Sequence, residues 1–330
     1  MPFFHNRPSW QLPVRAATSE SAFLNRRRFM KLAAGAGIGA IAANTASCYR
    51  RPLTDEALEN LQATYGKPIR NFAKPAEFAG EGLTLTEQKW ASRFNNFYEF
   101  GHQKTIWRAA QALPTNPWQV EVTGLVKNPK TYDLDDLLKS FPLEERVYRF
   151  RCVEAWAMVV PWLGFPMNKI LEAVEPLDAA KYVRFESYFN PSVTRGPAIG
   201  GGNLPWPYHE GLRIDEMANE LAFFAVGIYG RTLPKQHGAP IRMVVPWKYG
   251  FKGAKSVVKI EFVETQPTTY WNTISPNEYG FESNVDPEVS HPRWSQKRER
   301  MVGEGNNWDW VKQDTLPYNG YGEYVADLYV

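Results

Sequence analysis

Cys152 stands in Tyr148-Arg149-Phe150-Arg151-Cys152-Val153-Glu154-Ala155-Trp156, with arginines one and three residues before it and a carboxylate two residues after. A thiol in such company has three uses. As a thiolate it attacks electrophiles or binds a soft metal, and as a thiol it fills a core. On an extended strand, Tyr148, Phe150 and Cys152 share one face while Arg149 and Arg151 share the other. Two neighbouring cations are expected to lower the thiol pKa and favour thiolate. A nucleophilic cysteine needs a general base. His209 and His237 are the candidates, but no local protease signature accompanies them. Molybdenum in a pterin cofactor belongs to the soft-metal class. Residue type alone leaves all three uses open.

Two further segments carry chemistry. Arg242-Met243-Val244-Val245-Pro246 runs into Trp247-Lys248-Tyr249-Gly250-Phe251-Lys252-Gly253-Ala254-Lys255. Glycines there let backbone N–H groups approach an anion, and the lysines supply charge. That suits a phosphate-bearing cofactor, and it also suits a solvated turn. Asn95-Asn96-Phe97-Tyr98-Glu99-Phe100 is a polar and aromatic cluster whose amides can hold the amide-like edges of a pterin. Other chemistries find less support. The five histidines (His5, His102, His209, His237, His291) form no HExxH and no close pair, against a conventional zinc site. No GxGxxG follows a strand and no Walker A loop is present. Cys48 and Cys152 are the two cysteines, too few for a disulfide framework.

The elements that must position these residues are short and mixed. Gln119–Val126 alternates and reads as a strand ended by Lys127-Asn128-Pro129. Val147–Val153, Tyr182–Tyr188, Leu221–Ile228, Ile241–Pro246 and Val257–Val263 are further strands. Thr54–Tyr65 is a helix capped by Thr54, with Asp55 and Glu56 in its first turn. Asp133–Ser140 is a short helix with Asp133 as cap, and Asn168–Val174 another after a Gly-Phe-Pro turn. Arg195–Asn203 is a glycine-rich loop. Residues 266–330 are expected to be mostly turns and aromatics. Without regular βαβ alternation the class is α+β, with mixed sheets, short helices and long loops.

Composition locates the charge. The chain has 38 Lys+Arg and 35 Asp+Glu. Residues 1–46 hold six basic residues (Arg7, Arg15, Arg26, Arg27, Arg28, Lys31) and one acid (Glu20), which leaves 32 basic and 34 acidic, a net charge of −2. Nothing in the remainder calls for nucleic acid. Arg26-Arg27-Arg28-Phe29-Met30-Lys31 precedes a glycine-broken apolar run to Ala43, too short for a membrane span of about 20 residues. This is the layout of a twin-arginine export signal. The expected division is residues 1–46 as signal and residues 47–330 as one catalytic domain, with the periplasm as destination.

Five long strings, NNFYEFG at 95–101, FPLEERVYRFRCVEAWAMVVPWLGFP at 141–166, GAPIRMVVPWKYGFKGAKS at 238–256, EYGFESNV at 278–285 and HPRWSQ at 291–296, resemble the molybdopterin enzymes of the sulfite oxidase family. The resemblance covers nearly all of the chain after the signal. It implies the sulfite-oxidase-type molybdopterin-binding fold and a molybdenum–molybdopterin cofactor. It implies Cys152 as the catalytic thiolate ligand of molybdenum. Asn95, Tyr98, Glu99, Arg242, Gly253, Ala254 and Lys255 match cofactor-holding positions. Ser187 stands where the family has threonine, and His237 where it has asparagine. Sulfite-oxidising members follow their cysteine with an Ala-Gly-Asn-Arg type run, whereas Val153-Glu154-Ala155-Trp156 follows here. There is no haem domain and little room for a dimerisation domain. The resemblance therefore implies a monomeric catalytic subunit that reduces methionine sulfoxide, free and in oxidised exported proteins. Its electrons would come from a membrane haem-b, quinone-linked donor subunit. A sulfite oxidase of the same family and a non-catalytic exported binding protein are the rival expectations.

Overall fold

A computed structural model describes residues 53–330 apart from 195, 197–203, 307 and 308. The expected signal, residues 1–46, lies outside the described residues. Two sheets organise the rest. One has five strands in the order β2-β1-β10-β5-β6: β1 Gln119–Gly124, β2 Lys130–Asp133, β5 Tyr182–Ser187, β6 His209–Arg213 and β10 Val257–Val263. Here β1 runs parallel to β10 and the other pairs are antiparallel. The other sheet contains β3 Glu144–Arg151, β4 Trp156–Pro166, β7 Phe223–Ile228, β8 Arg231–Thr232, β9 Arg242–Val244, β11 Arg298–Asn306 and β12 Asp309–Asp314. Its path is β12-β11-β4-β7-β8, with β3 on β4 and β9 on β7. Among the described residues helices are short, the longest being Asp55–Gln62. The α+β class, with mixed sheets and short helices, is what the chain adopts.

The burial pattern explains which strands were legible. β1 alternates exposed and buried residues, because one face meets the core and the other water. β4 is buried from Trp156 to Phe165, and β7 along its whole length. Both faces of these strands are covered, so no period-2 pattern marks them; β7 was legible as a short apolar run, and β4 was not. The hairpin β11–β12 corrects the expectation that residues 266–330 are mostly turns. Its strands are polar and charged, and they are held by tertiary pairing with β4 through Arg300 and Met301. Asp133 also differs from expectation. The helix Leu134–Ser140 begins after it, but its side chain makes no cap. It accepts from Gln119 Nε2 at 3.0 Å instead. Thr54 does cap its helix, through Ala57 N–H at 3.2 Å.

Gly164 lies where the β4–β7 register shifts, between Leu163 and Gly164. A Cβ there would fall 1.9 Å from the carbonyl oxygen of Phe224, on backbone that cannot swing aside. Gly164→Ala is therefore expected to destabilise the protein by about 2–3 kcal/mol, and a thermal melt checks it.

Candidate active site

The hairpin joining β3 to β4 presents Cys152. Cys152 N–H donates to Trp156 O at 2.9 Å and Ala155 N–H to Cys152 O at 3.0 Å. Ala155 adopts φ +62°, a left-handed conformation that non-glycine residues seldom take. The turn is held from behind by the C-terminal part of the chain. Gln296 Nε2 and Trp294 Nε1 each donate to Val153 O at 2.7 Å, and Arg300 N–H donates to Ala155 O at 3.0 Å. Arg151, fully buried, donates to Cys152 O and pairs with Glu299 at 3.0 Å. The strained turn persists because these contacts over-determine it.

The chemical state of the thiol corrects the sequence argument. The arginines were expected to lower its pKa. Arg149 instead pairs with Glu299 at 2.5 Å, and Arg151 spends its charge on the same carboxylate. Burial, with the Glu154 carboxylate next, pushes the Cys152 thiol up to about 12, against opposing pulls from Lys104 and Arg151. A metal held by this sulfur would take it as thiolate despite that shift. Neither His209 nor His237 hydrogen-bonds Cys152 among the described residues. His209 Nδ1 sits 2.8 Å from Pro207 O, and the Cys–His nucleophile has no geometry to support it.

Cys152 lines a cavity of about 210 Å³. Asn95, Tyr98, Glu99, His237, Arg242 and Lys255 line it too, so residues separated by more than 100 positions in sequence meet there. Ser187, Gly253 and Ala254 are not on its wall but lie close behind it. The Ser187 hydroxyl faces Glu99 without a satisfied hydrogen bond. A Cβ on Gly253 would lie 3.0 Å from Arg242 Nη2 and 2.8 Å from Met243 O, so this position tolerates only glycine's close approach. Ala254 is fully buried and accepts Met243 N–H at 2.9 Å. Lys248 and Lys252, in the segment that also suited a solvated turn, are buried. Lys248 pairs with Glu216 at 2.5 Å and Lys252 with Glu210 at 2.8 Å. Lys255 is the lysine of that loop which faces the cavity.

Among the side-chain atoms around this cavity that are buried without a hydrogen-bond partner are Asn95 Oδ1, Trp162 Nε1, Ser187 Oγ, His237 Nε2 and Arg242 Nη2. Each costs about 1–3 kcal/mol if left unpaired. Burial, reinforced by Arg242 and Lys255, lowers the His237 pKa to about 3 and keeps the ring neutral at neutral pH. Burial pushes Glu99 up and Lys255 down, each opposed by the attraction of the other. Acceptors, donors and a cation in one cavity with a single thiol fit a polar, anionic, thiolate-ligated group.

Sequence reasoning missed the cluster beside the sulfur. Asn96 Nδ2 lies 3.4 Å from Cys152 Sγ and 3.0 Å from Glu154 Oε2. Lys104 donates to both Asn96 Oδ1 and Glu154 Oε2, and Trp156 Nε1 reaches the same carboxylate at 3.0 Å. Burial alone would raise the Glu154 carboxyl, but Lys104, Asn96 and Trp156 outweigh it and hold it at about 2. Glu154 was visible as the residue two places after the cysteine. Lys104 carried no signal at all.

Such a fold and such a cavity define a molybdopterin-binding oxidoreductase. Residues 108–271 match the family model described as oxidoreductase molybdopterin binding domain. The chain is 46% identical over 319 residues to the protein-methionine-sulfoxide reductase catalytic subunit MsrP of Burkholderia mallei (strain ATCC 23344), a match covering 96% of this chain and 93% of that protein. The chain belongs to that family of molybdopterin oxidoreductases, and its cofactor is molybdenum–molybdopterin. Among solved structures, the sulfane dehydrogenase SoxCD from Paracoccus pantotrophus superposes with a TM-score of 0.47 at 15% identity, over 75% of this chain and 61% of that one.

Proposed function

We propose that this chain reduces methionine sulfoxide, free and within exported proteins, to methionine. The sulfoxide takes two electrons and two protons and yields the thioether and water. The observation that supports this most is the set of unpaired buried polar atoms around the Cys152 cavity. When bound, molybdenum–molybdopterin supplies two-electron oxygen-atom chemistry. In this reading Cys152 is the protein ligand to the metal. Asn95, Tyr98, Glu99, Ser187 and His237 hold the cofactor's polar edges. Arg242, Lys255 and the Gly253-Ala254 backbone hold its anionic end. Asn96, Lys104 and Trp156 fix Glu154 as a carboxylate beside the sulfur, and the Lys104 ammonium and Asn96 amide keep N–H donors on that wall, where charge developing on oxygen is stabilised. Trp271 and Tyr279 line the same cavity and exclude water from it.

The test is molybdenum content together with reduction of an oxidised intact protein, using an artificial electron donor. Molybdenum near one per chain and turnover of protein-bound sulfoxide are expected, with poor oxidation of sulfite. Fast sulfite oxidation without sulfoxide turnover would assign the reverse direction, and a metal-free protein would favour a binding role.

Electrons are proposed to come from a membrane haem-b, quinone-linked subunit, with the periplasm as the working compartment and residues 1–46 as the signal. No helix among the described residues is long and apolar enough to cross a membrane. Arg26→Lys combined with Arg27→Lys is expected to strand the precursor in the cytoplasm. Cell fractionation checks this, and normal periplasmic accumulation would remove the signal assignment.

A further inference from the structure

We propose that a second cavity, beside the cysteine turn, is a subsite for a lysine or arginine side chain of the polypeptide that carries the oxidised methionine. The inference rests on the sulfoxide-reductase reading above. The cavity measures about 540 Å³ and shares Val153, Phe251 and Tyr279 with the Cys152 cavity. An extended chain advances at most about 3.3–3.6 Å per residue. With a methionine sulfoxide in the first cavity, the residues next to it reach that shared wall, and a long side chain extends past it.

Charge selects the class of side chain. Glu278, Glu282 and Asp286 line the second cavity, and no lysine or arginine does. Glu278 is held by Arg293 at 2.8 Å and Glu282 by Arg213 at 3.0 Å, both from outside the lining. Asp286 forms no ion pair among the described residues, and its Oδ1 accepts Glu288 N–H at 2.8 Å. His291, on the same wall, is an observation independent of the acids. It is 6% exposed and stacks on Trp294 with ring centroids 3.9 Å apart. Its Nδ1 accepts Arg293 N–H at 3.2 Å, so in the neutral ring Nε2 carries the proton. Nε2 has no hydrogen-bond partner, although Glu278 Oε2 lies 3.4 Å away. Burial disfavours the charged ring, so His291 does not neutralise the acids. The cavity thus combines negative charge for a cationic side chain with a spare buried donor for a chain carbonyl.

The test uses the holoenzyme with an artificial electron donor and two peptides, each with one methionine sulfoxide flanked on both sides by lysines or by glutamates. At low salt the lysine peptide is expected to show a kcat/KM about fivefold to tenfold higher, with the gap in KM and shrinking at high ionic strength. Asp286→Asn, which keeps the acceptor for Glu288 N–H, and Glu278→Gln are each expected to narrow that gap while turnover of free methionine sulfoxide stays unchanged. Equal kcat/KM for the two peptides, with free sulfoxide still reduced, overturns the subsite and leaves the reductase reading standing. Absence of turnover with every sulfoxide removes the reductase reading instead. The cavity is then decided by fluorescence anisotropy with norleucine versions of the two peptides. Preference for the lysine peptide that Asp286→Asn reduces supports the subsite, and equal binding overturns it.

Discussion

Cys152→Ser is expected to lower sulfoxide turnover by at least about a thousandfold, which is about 4 kcal/mol of transition-state stabilisation. The serine hydroxyl is a harder ligand and far less readily deprotonated than a thiol. The fold should survive. The smaller oxygen can be met by Asn96 Nδ2 and Glu154 Oε2, which already lie 3.4 and 3.6 Å from the sulfur. Much of the cofactor should also remain, because the unpaired atoms of Asn95, Ser187, His237 and Arg242 are untouched. Steady-state turnover and metal analysis on the same preparation separate the two effects. Activity within a few fold of the parent protein would remove Cys152 from its proposed role.

Lys255→Glu is expected to empty the site rather than unfold the protein. Lys255 faces the cavity, interacts with Glu99 and lies over the Phe97 ring at 5.4 Å from its centroid. Reversing its charge removes an attraction for an anionic group and sets a second carboxylate near the buried Glu99. A unit charge pair at 4 Å with an effective dielectric near 20 is worth about 4 kcal/mol, so even partial loss lowers occupancy by tenfold or more. Lys255→Met is the companion variant, since it removes the attraction without adding repulsion and should fall between. Molybdenum content relative to protein, read beside the melting temperature, checks the prediction. Full loading in Lys255→Glu would show that this lysine holds nothing.

The lack of regular βαβ alternation reached the class of the fold, and the family resemblance supplied Asn95, Tyr98, Glu99, Cys152, His237, Arg242 and Lys255 of the cavity wall. The alternation of β1 placed it as a half-buried strand, and Thr54 marked its helix start, because these signals are local and need only neighbours in sequence. The strings around Asn95, Cys152 and Arg242 marked the segments that converge, because side chains that must face a ligand leave little freedom of residue type. The state of the sulfur was decided only by tertiary structure. Arg149 and Arg151 lie within three residues of Cys152 in sequence, yet both are engaged by Glu299, a residue about 150 positions away. Lys104, with no mark in the sequence, holds Glu154 beside the thiol. The buried strand β4 has no alternation to read, and the polar hairpin β11–β12 takes its place through β4 and not through its own pattern. Adjacent residues alone establish what a segment prefers. Charge balance, burial and the shape of a cavity depend on which distant residues arrive there, and the Coulomb and desolvation terms that set a pKa follow distance in space.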